Sequence, residues 1–196
     1  MKLREIKREL RILGIDDAPF SKFKDKECLV VATIFRGGSY MDGLLSAHVR
    51  IDGEDSTKKI IKIANASRHM EQLRCIMIDG IALAGFNILD IQKLSRETGL
   101  PVIVFMRKMP DFKKIETALK KADKKTASKK FALMKRAGRV YRIKNKGVYY
   151  QIAGISEKKA AEILKLSATH ALVPEPLRIA HIIASGIALG ESHGRA

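Results

Sequence analysis

Two aspartates in this chain stand where chemistry is done. Asp16 follows the apolar run Leu10 to Ile15 (LRILGI), and Asp79 follows Leu73 to Ile78 (LRCIMI). Each run reads as a strand buried on both faces, so each carboxylate falls at a carboxyl-terminal strand end, the edge where open α/β sheets bind ligands. If the two strands are adjacent and parallel, the carboxylates converge. Convergent carboxylates are the hard oxygen ligands that Mg²⁺ or Mn²⁺ accepts while keeping waters for reaction, the arrangement of metal-dependent phosphodiester hydrolysis. A third ligand is available in Asp55, with Asp52 and Glu54 as rivals. The structural alternative is plain: Asp79-Gly80 is also a turn dipeptide, and Asp55 before Ser56-Thr57 is a good helix cap. His181, flanked by Ile179, Ile182 and Ile183, has the surroundings of a packing histidine.

Acids are scarce in this chain beside its cations. The chain of 196 residues carries 38 Lys and Arg against 21 Asp and Glu, a formal charge of +17. From Arg107 to Lys146 sixteen cations face three acids, so this segment alone holds +13 of the excess. Lysine pairs there alternate with Ile115, Leu119, Phe131 and Met134, the pattern of helices with an apolar underside and a cationic outer face. Unbalanced cations favour a phosphate-binding track over a merely solvated surface. Arg136 and Arg139, flanking Gly138, are the preferred backbone-phosphate contacts. A partner of nucleic acid, most simply DNA, is expected, and a membrane is not.

The remaining composition bounds the class. At 46% hydrophobic residues the chain has material for one sizeable core and is not a disordered basic tail. Its longest apolar stretches fall short of a membrane span, and its first residues lack the apolar core of a secretory signal, so a cytoplasmic protein is expected. Cys28 and Cys75 sit in aliphatic runs as buried free thiols, and no Cys/His cluster has zinc spacing.

These residues need a scaffold. Leu10–Ile15, Cys28–Arg36 and Asp42–Ile51 read as a three-strand meander with a turn at Gly37-Gly38-Ser39. A helix follows Asp55, with Ile60, Ile61 and Ala64 on its apolar face. Alternation then begins: a strand from Leu73 to Ile78, a helix from Leu89 to Thr98 closed by Gly99, a strand after Pro101, and a basic helical segment from about Asp111 to Ala137. Arg139–Ile143 and Val148–Ile152 form a hairpin about Asn145-Lys146-Gly147, and helices from Ser156 and Glu175 complete the chain. One α/β domain, residues 1–196, with a mixed five-stranded central sheet is the expectation.

Three segments together, Gly14-Ile15-Asp16, Ile78-Asp79-Gly80 and the terminal run PEPLRIAHIIASGIALGESHGRA, give the chain a family resemblance. With the DGEDST segment they resemble the archaeal endonuclease dU family, related to endonuclease V, over almost the whole length. The resemblance implies a ribonuclease-H-like three-layer fold and an endonuclease acting with Mg²⁺ or Mn²⁺ on deaminated DNA, with uracil as the lesion. By position it makes Asp16 and Asp79 the catalytic metal ligands. Endonuclease V has a glutamate after its third strand, where this chain has Asp55 with Glu54 beside it. The Pro-x-x-x-Arg-x-Ala-His pattern at Pro174, Arg178, Ala180 and His181 is shared with endonuclease V and points to His181 as a partner of the ligands or of phosphate. Tyr40, in Gly37-Gly38-Ser39-Tyr40, occupies a place similar to the endonuclease V wedge and would stack on a base. The competing functions are a nucleic-acid-binding module without chemistry and a nuclease for RNA or unmodified single-stranded DNA.

Overall fold

The computed structural model describes residues 5–143 and 147–193. Its first strand, β1 (Arg11–Asp17), is built from Ile12, Leu13 and Ile15, all fully buried, so both of its faces are covered. β2 (Glu27–Arg36) and β3 (Tyr40–Arg50) continue the meander, each antiparallel to its predecessor. β3 is an edge strand and alternates exposed with partly buried residues, as an edge requires. Helix α1 (Ser56–Asn65) then buries Ile60, Ile61 and Ala64 against the sheet. β4 (Leu73–Asp79) lies beside β1 and parallel to it.

A hairpin of two short strands, β5 (Ala82–Leu83) and β6 (Asn87–Ile88), leads to α2 (Ile91–Thr98), whose cap Asp90 accepts from the Lys93 amide at 3.0 Å. β7 (Val102–Met106) is parallel to β4. The basic segment is two helices, α3 (Phe112–Ala122) and α4 (Lys124–Arg136). Asp123 divides them because its carboxylate accepts from the Lys125 amide and the Thr126 hydroxyl, starting a new helix where the old one ends. β8 (Tyr141–Ile143), β9 (Val148–Ala153), α5 (Glu157–Ser167) and α6 (Glu175–Leu189) follow. Of the expected hairpin turn, Asn145 and Lys146 lie outside the described residues.

The sheet has seven strands, in the order β3-β2-β1-β4-β7-β9-β8, not the expected five. The difference comes from the last hairpin. β9 pairs antiparallel with β7 from Val102↔Ala153 to Met106↔Tyr149, so β7 is an interior strand. Phe105 and Tyr150 face each other across this pairing, both buried, and the apolar area they cover explains why the hairpin joins the sheet. Helices lie on both faces. One core joins α1 and α2 to Leu13, Ile15, Ile76, Ile78 and Val104; the other joins α5 and Leu177 of α6 to Ile12, Met77, Ile103 and Phe105. No helix among the described residues is long and apolar enough to cross a membrane.

Candidate active site

Register brings the two carboxylates together. β1 and β4 are paired through Gly14↔Met77 and Ile15↔Ile78, so Asp16 and Asp79 are the next residues on neighbouring parallel strands and share one face. Parallel neighbours lie about 4.8 Å apart. Asp16 is thus inside β1, at its last buried position, rather than beyond it. Burial, then the proximity of Asp79 and of Asp17, pushes the Asp16 carboxyl up to about 8.

The face they share is the one covered by α6. A Cβ on Gly14 would lie 2.4 Å from the Pro176 Cβ and 2.5 Å from its carbonyl carbon, so only glycine admits the start of α6 this close to β1. Thr33 donates its hydroxyl to the Pro176 carbonyl at 2.7 Å and fixes the same contact from β2. From this docking, Leu177 and Ala180 go into the core and His181 arrives over Asp16, Nδ1 to Oδ2 2.9 Å. The other ring nitrogen, Nε2, lies 3.3 Å from the His193 carbonyl, which can only accept.

Two further groups belong to this edge that sequence pattern did not single out. Arg107, the residue after β7, places Nη2 3.0 Å from Oδ2 of Asp79. Its signal was position: a cation directly behind the strand that neighbours the Asp79 strand. Asp17 points to the opposite face, where Oδ2 accepts from the Ala84 amide at 2.8 Å and ties the β5–β6 hairpin to β1.

The other expected site residues lie elsewhere. Asp55 stands at the start of α1, and its carboxylate accepts from Asn87 Nδ2 at 2.7 Å and from the Arg50 amide, with Lys59 Nζ at 3.0 Å. Burial opposes ionisation there, but these donors hold its carboxyl below the usual range. Among the described residues no three His, Cys, Asp or Glu side chains form a group able to hold a metal ion, so Asp55 is not gathered with Asp16 and Asp79. Its rivals are committed too: Asp52 to the Phe86 amide and Lys22, Glu54 to Lys129.

Tyr40 opens β3 opposite Arg36, which pairs with Arg11 at the start of β1, so it sits at the far end of the sheet from Asp16. Its ring faces the Arg36 guanidinium, 5.3 Å from the ring centroid. Arg136 pairs with Asp90 and lines a cleft of about 440 Å³ with Lys58, Lys93 and Lys129. Arg139 lies over the Tyr141 ring at 5.4 Å.

The chain has relatives in sequence and in fold. A family model described as Endonuclease dU matches residues 8–188. The chain belongs to the endonuclease dU family. It is 52% identical to a UPF0215 protein of the archaeon Methanothermobacter thermautotrophicus, over 98% of this chain and 95% of that one. A crystal structure of a protein from Archaeoglobus fulgidus matches with a TM-score of 0.83 at 38% identity, covering 91% of this chain and 98% of that chain. Endonuclease V of Ciona intestinalis, solved with DNA containing an inosine, matches with a TM-score of 0.55 at 13% identity over 87% of this chain and 82% of that chain. That likeness is one of fold. This chain and endonuclease V thus share a fold, and at the edge of its sheet this chain carries its acidic pair.

Proposed function

We propose that the protein is a divalent-metal-dependent endonuclease that hydrolyses phosphodiester bonds in DNA containing a deaminated base, uracil foremost. The observation that carries this reading is the placement of Asp16 and Asp79 side by side at the carboxyl edge, on a chain of charge +17. The family description supports uracil, and the inosine-containing DNA bound to Ciona endonuclease V supports DNA as the partner.

The donor set fits Mg²⁺ or Mn²⁺, which accepts one or two carboxylates and fills its remaining positions with water and substrate phosphate. Asp16 and Asp79 would hold the ion; Asp55 could join only by giving up Asn87 and Lys59. When bound, the ion supplies charge neutralisation of the pair, Lewis-acid stabilisation of the phosphate and activation of water. The chain's own residues do the rest. His181 fixes the Asp16 carboxylate through Nδ1, acting as a positioning residue. Arg107, held beside Asp79, presents a cation where a phosphate oxygen would arrive. The cations of α3 and α4, with Arg136 and Arg139, raise the positive field of the molecule and attract the phosphate backbone over a longer range.

A second reading, nucleic-acid binding without cleavage, is favoured by one observation: the absence of a third acidic side chain beside the pair among the described residues. The two readings separate in one experiment. Matched duplexes carrying uracil, hypoxanthine or no lesion are incubated with wild type and with Asp16→Asn, in Mg²⁺ and in EDTA. Nicking of the uracil duplex that needs Mg²⁺ and vanishes in Asp16→Asn is expected. Cutting by Asp16→Asn at the wild-type rate overturns the assignment, and binding without nicking on every duplex selects the second reading.

A further inference from the structure

Two apolar side chains stand in solvent on loops that leave the same carboxyl edge of the sheet as the acidic pair. Phe23, on the loop from β1 to β2, is 98% exposed, and Met109, on the loop after β7, is 55% exposed. Strand order places these loops on opposite flanks of β1 and β4 at the same carboxyl edge.

Neither residue is at a frayed tip. The Phe23 loop is a closed turn: the Ser21 carbonyl accepts from the Lys24 and Asp25 amides at 3.1 and 2.9 Å, and the Ser21 amide donates to the Asp25 carboxylate at 2.7 Å. Lys22 anchors it through Asp52 at 2.8 Å and lies over the Phe86 ring, while Phe20 packs on the core. Met109 is held between Arg107, bonded to Asp79, and Asp111, which caps α3 by accepting from the Lys114 amide.

An aromatic ring left wholly in water on a closed turn forgoes a large burial term, so its surroundings indicate what covers it. Phe23 lies between Lys22, Lys24 and Lys26, and Met109 follows Arg107 and Lys108. An apolar protein groove or a lipid core would have to desolvate those cations. A nucleic-acid strand satisfies both features, since its bases offer flat apolar faces and its phosphates meet the cations. In an intact duplex those faces are stacked on one another.

We propose that Phe23 and Met109 are contacts for exposed nucleobases, so that the protein engages DNA where bases are unpaired or unstacked, with the strand held across the acidic edge. Only the placement of the scissile phosphate rests on the nuclease reading above; the contacts themselves concern binding. Tyr40, the aromatic residue the sequence offered for stacking, is at the other end of the sheet and already faces Arg36.

The test is equilibrium binding in EDTA, where nothing is cut, to an oligonucleotide containing 2-aminopurine, as a single strand and in a perfect duplex. Wild type is expected to bind the single strand more tightly and to quench its fluorescence. Phe23→Ala should weaken single-strand binding about tenfold, and Met109→Ala about threefold, with duplex binding and the unfolding midpoint unchanged. Phe23→Trp, which keeps a stacking face, should restore the affinity. Equal weakening on both substrates, no weakening, or a defect that Trp does not repair overturns the proposal. Nicking by wild type and by Asp16→Asn is scored separately, so either reading can fail while the other stands.

Discussion

The Nδ1 of His181 lies 2.9 Å from Oδ2 of Asp16 across 165 residues of sequence, and the contact exists because Pro176 rests directly on Gly14. Helix α6 is thereby both a packing element and the carrier of the imidazole that meets Asp16.

Removing the imidazole should leave the fold and reduce the chemistry. His181→Ala is expected to lower Mg²⁺-dependent nicking about 10- to 100-fold, the usual effect of losing a group that orients a metal ligand. Single-turnover nicking checks the rate, and binding of uncut duplex in EDTA should change less than about twofold.

Gly14→Ala tests the docking of α6. A methyl group there collides with Pro176 backbone and side chain, neither of which is a flexible end that can swing aside. We expect a loss of about 1–3 kcal/mol in denaturant unfolding, as for overpacked cores, with nicking falling as far as in His181→Ala because α6 is displaced. A variant as stable as wild type would show that the helix can relax away from β1.

The cationic helices should control the salt dependence. Replacing Lys124, Lys125, Lys129 and Lys135 by Gln is expected to weaken duplex binding and to flatten the plot of log K against log salt by about 0.9 for each phosphate that these lysines neutralise. Titrations from low to moderate NaCl check the slope. Under the proposed function, the ratio of nicking on the uracil duplex to that on the undamaged duplex should be unchanged.

Acid sensitivity has an identifiable source at the other end of the sheet. Asp42 receives the Arg36 guanidinium at 2.7 and 2.8 Å and Arg11 at 2.8 Å, and these hydrogen bonds hold its carboxyl down to about 2 despite burial. The folded state thus binds this proton less readily than the unfolded chain, so the contribution is complete above about pH 4 and disappears as pH falls toward 2. Unfolding measured from pH 6 to pH 2 should show this decline in wild type and a weaker pH dependence in Asp42→Asn.

Much of this is readable from local pattern. The apolar runs at 10–15, 28–36 and 73–78 and the helix from Glu175 to Leu189 are strands and a helix in the structure because both periodicities are written in consecutive residues. The basic segment reads as helical because the apolar spacing runs through 111–137; where it divides depends on the Asp123 carboxylate turning back onto two following donors. The hairpin 141–153 is visible, but its addition to the sheet is not, since pairing of β9 with β7 rests on complementary faces far apart in the chain.

The sequence by itself determined that the acids worth noticing follow buried strands and that +13 of the +17 charge lies in one segment, because composition and alternation are local properties. Tertiary structure alone decided which of those acids meet. The parallel pairing of β1 with β4 set Asp16 beside Asp79, and the absence of a Cβ at Gly14 let α6 bring His181 to them. The same packing kept Asp55 with Asn87 and Lys59 and left Tyr40 at the far end of the sheet, because strand order and close approach depend on how distant surfaces fit.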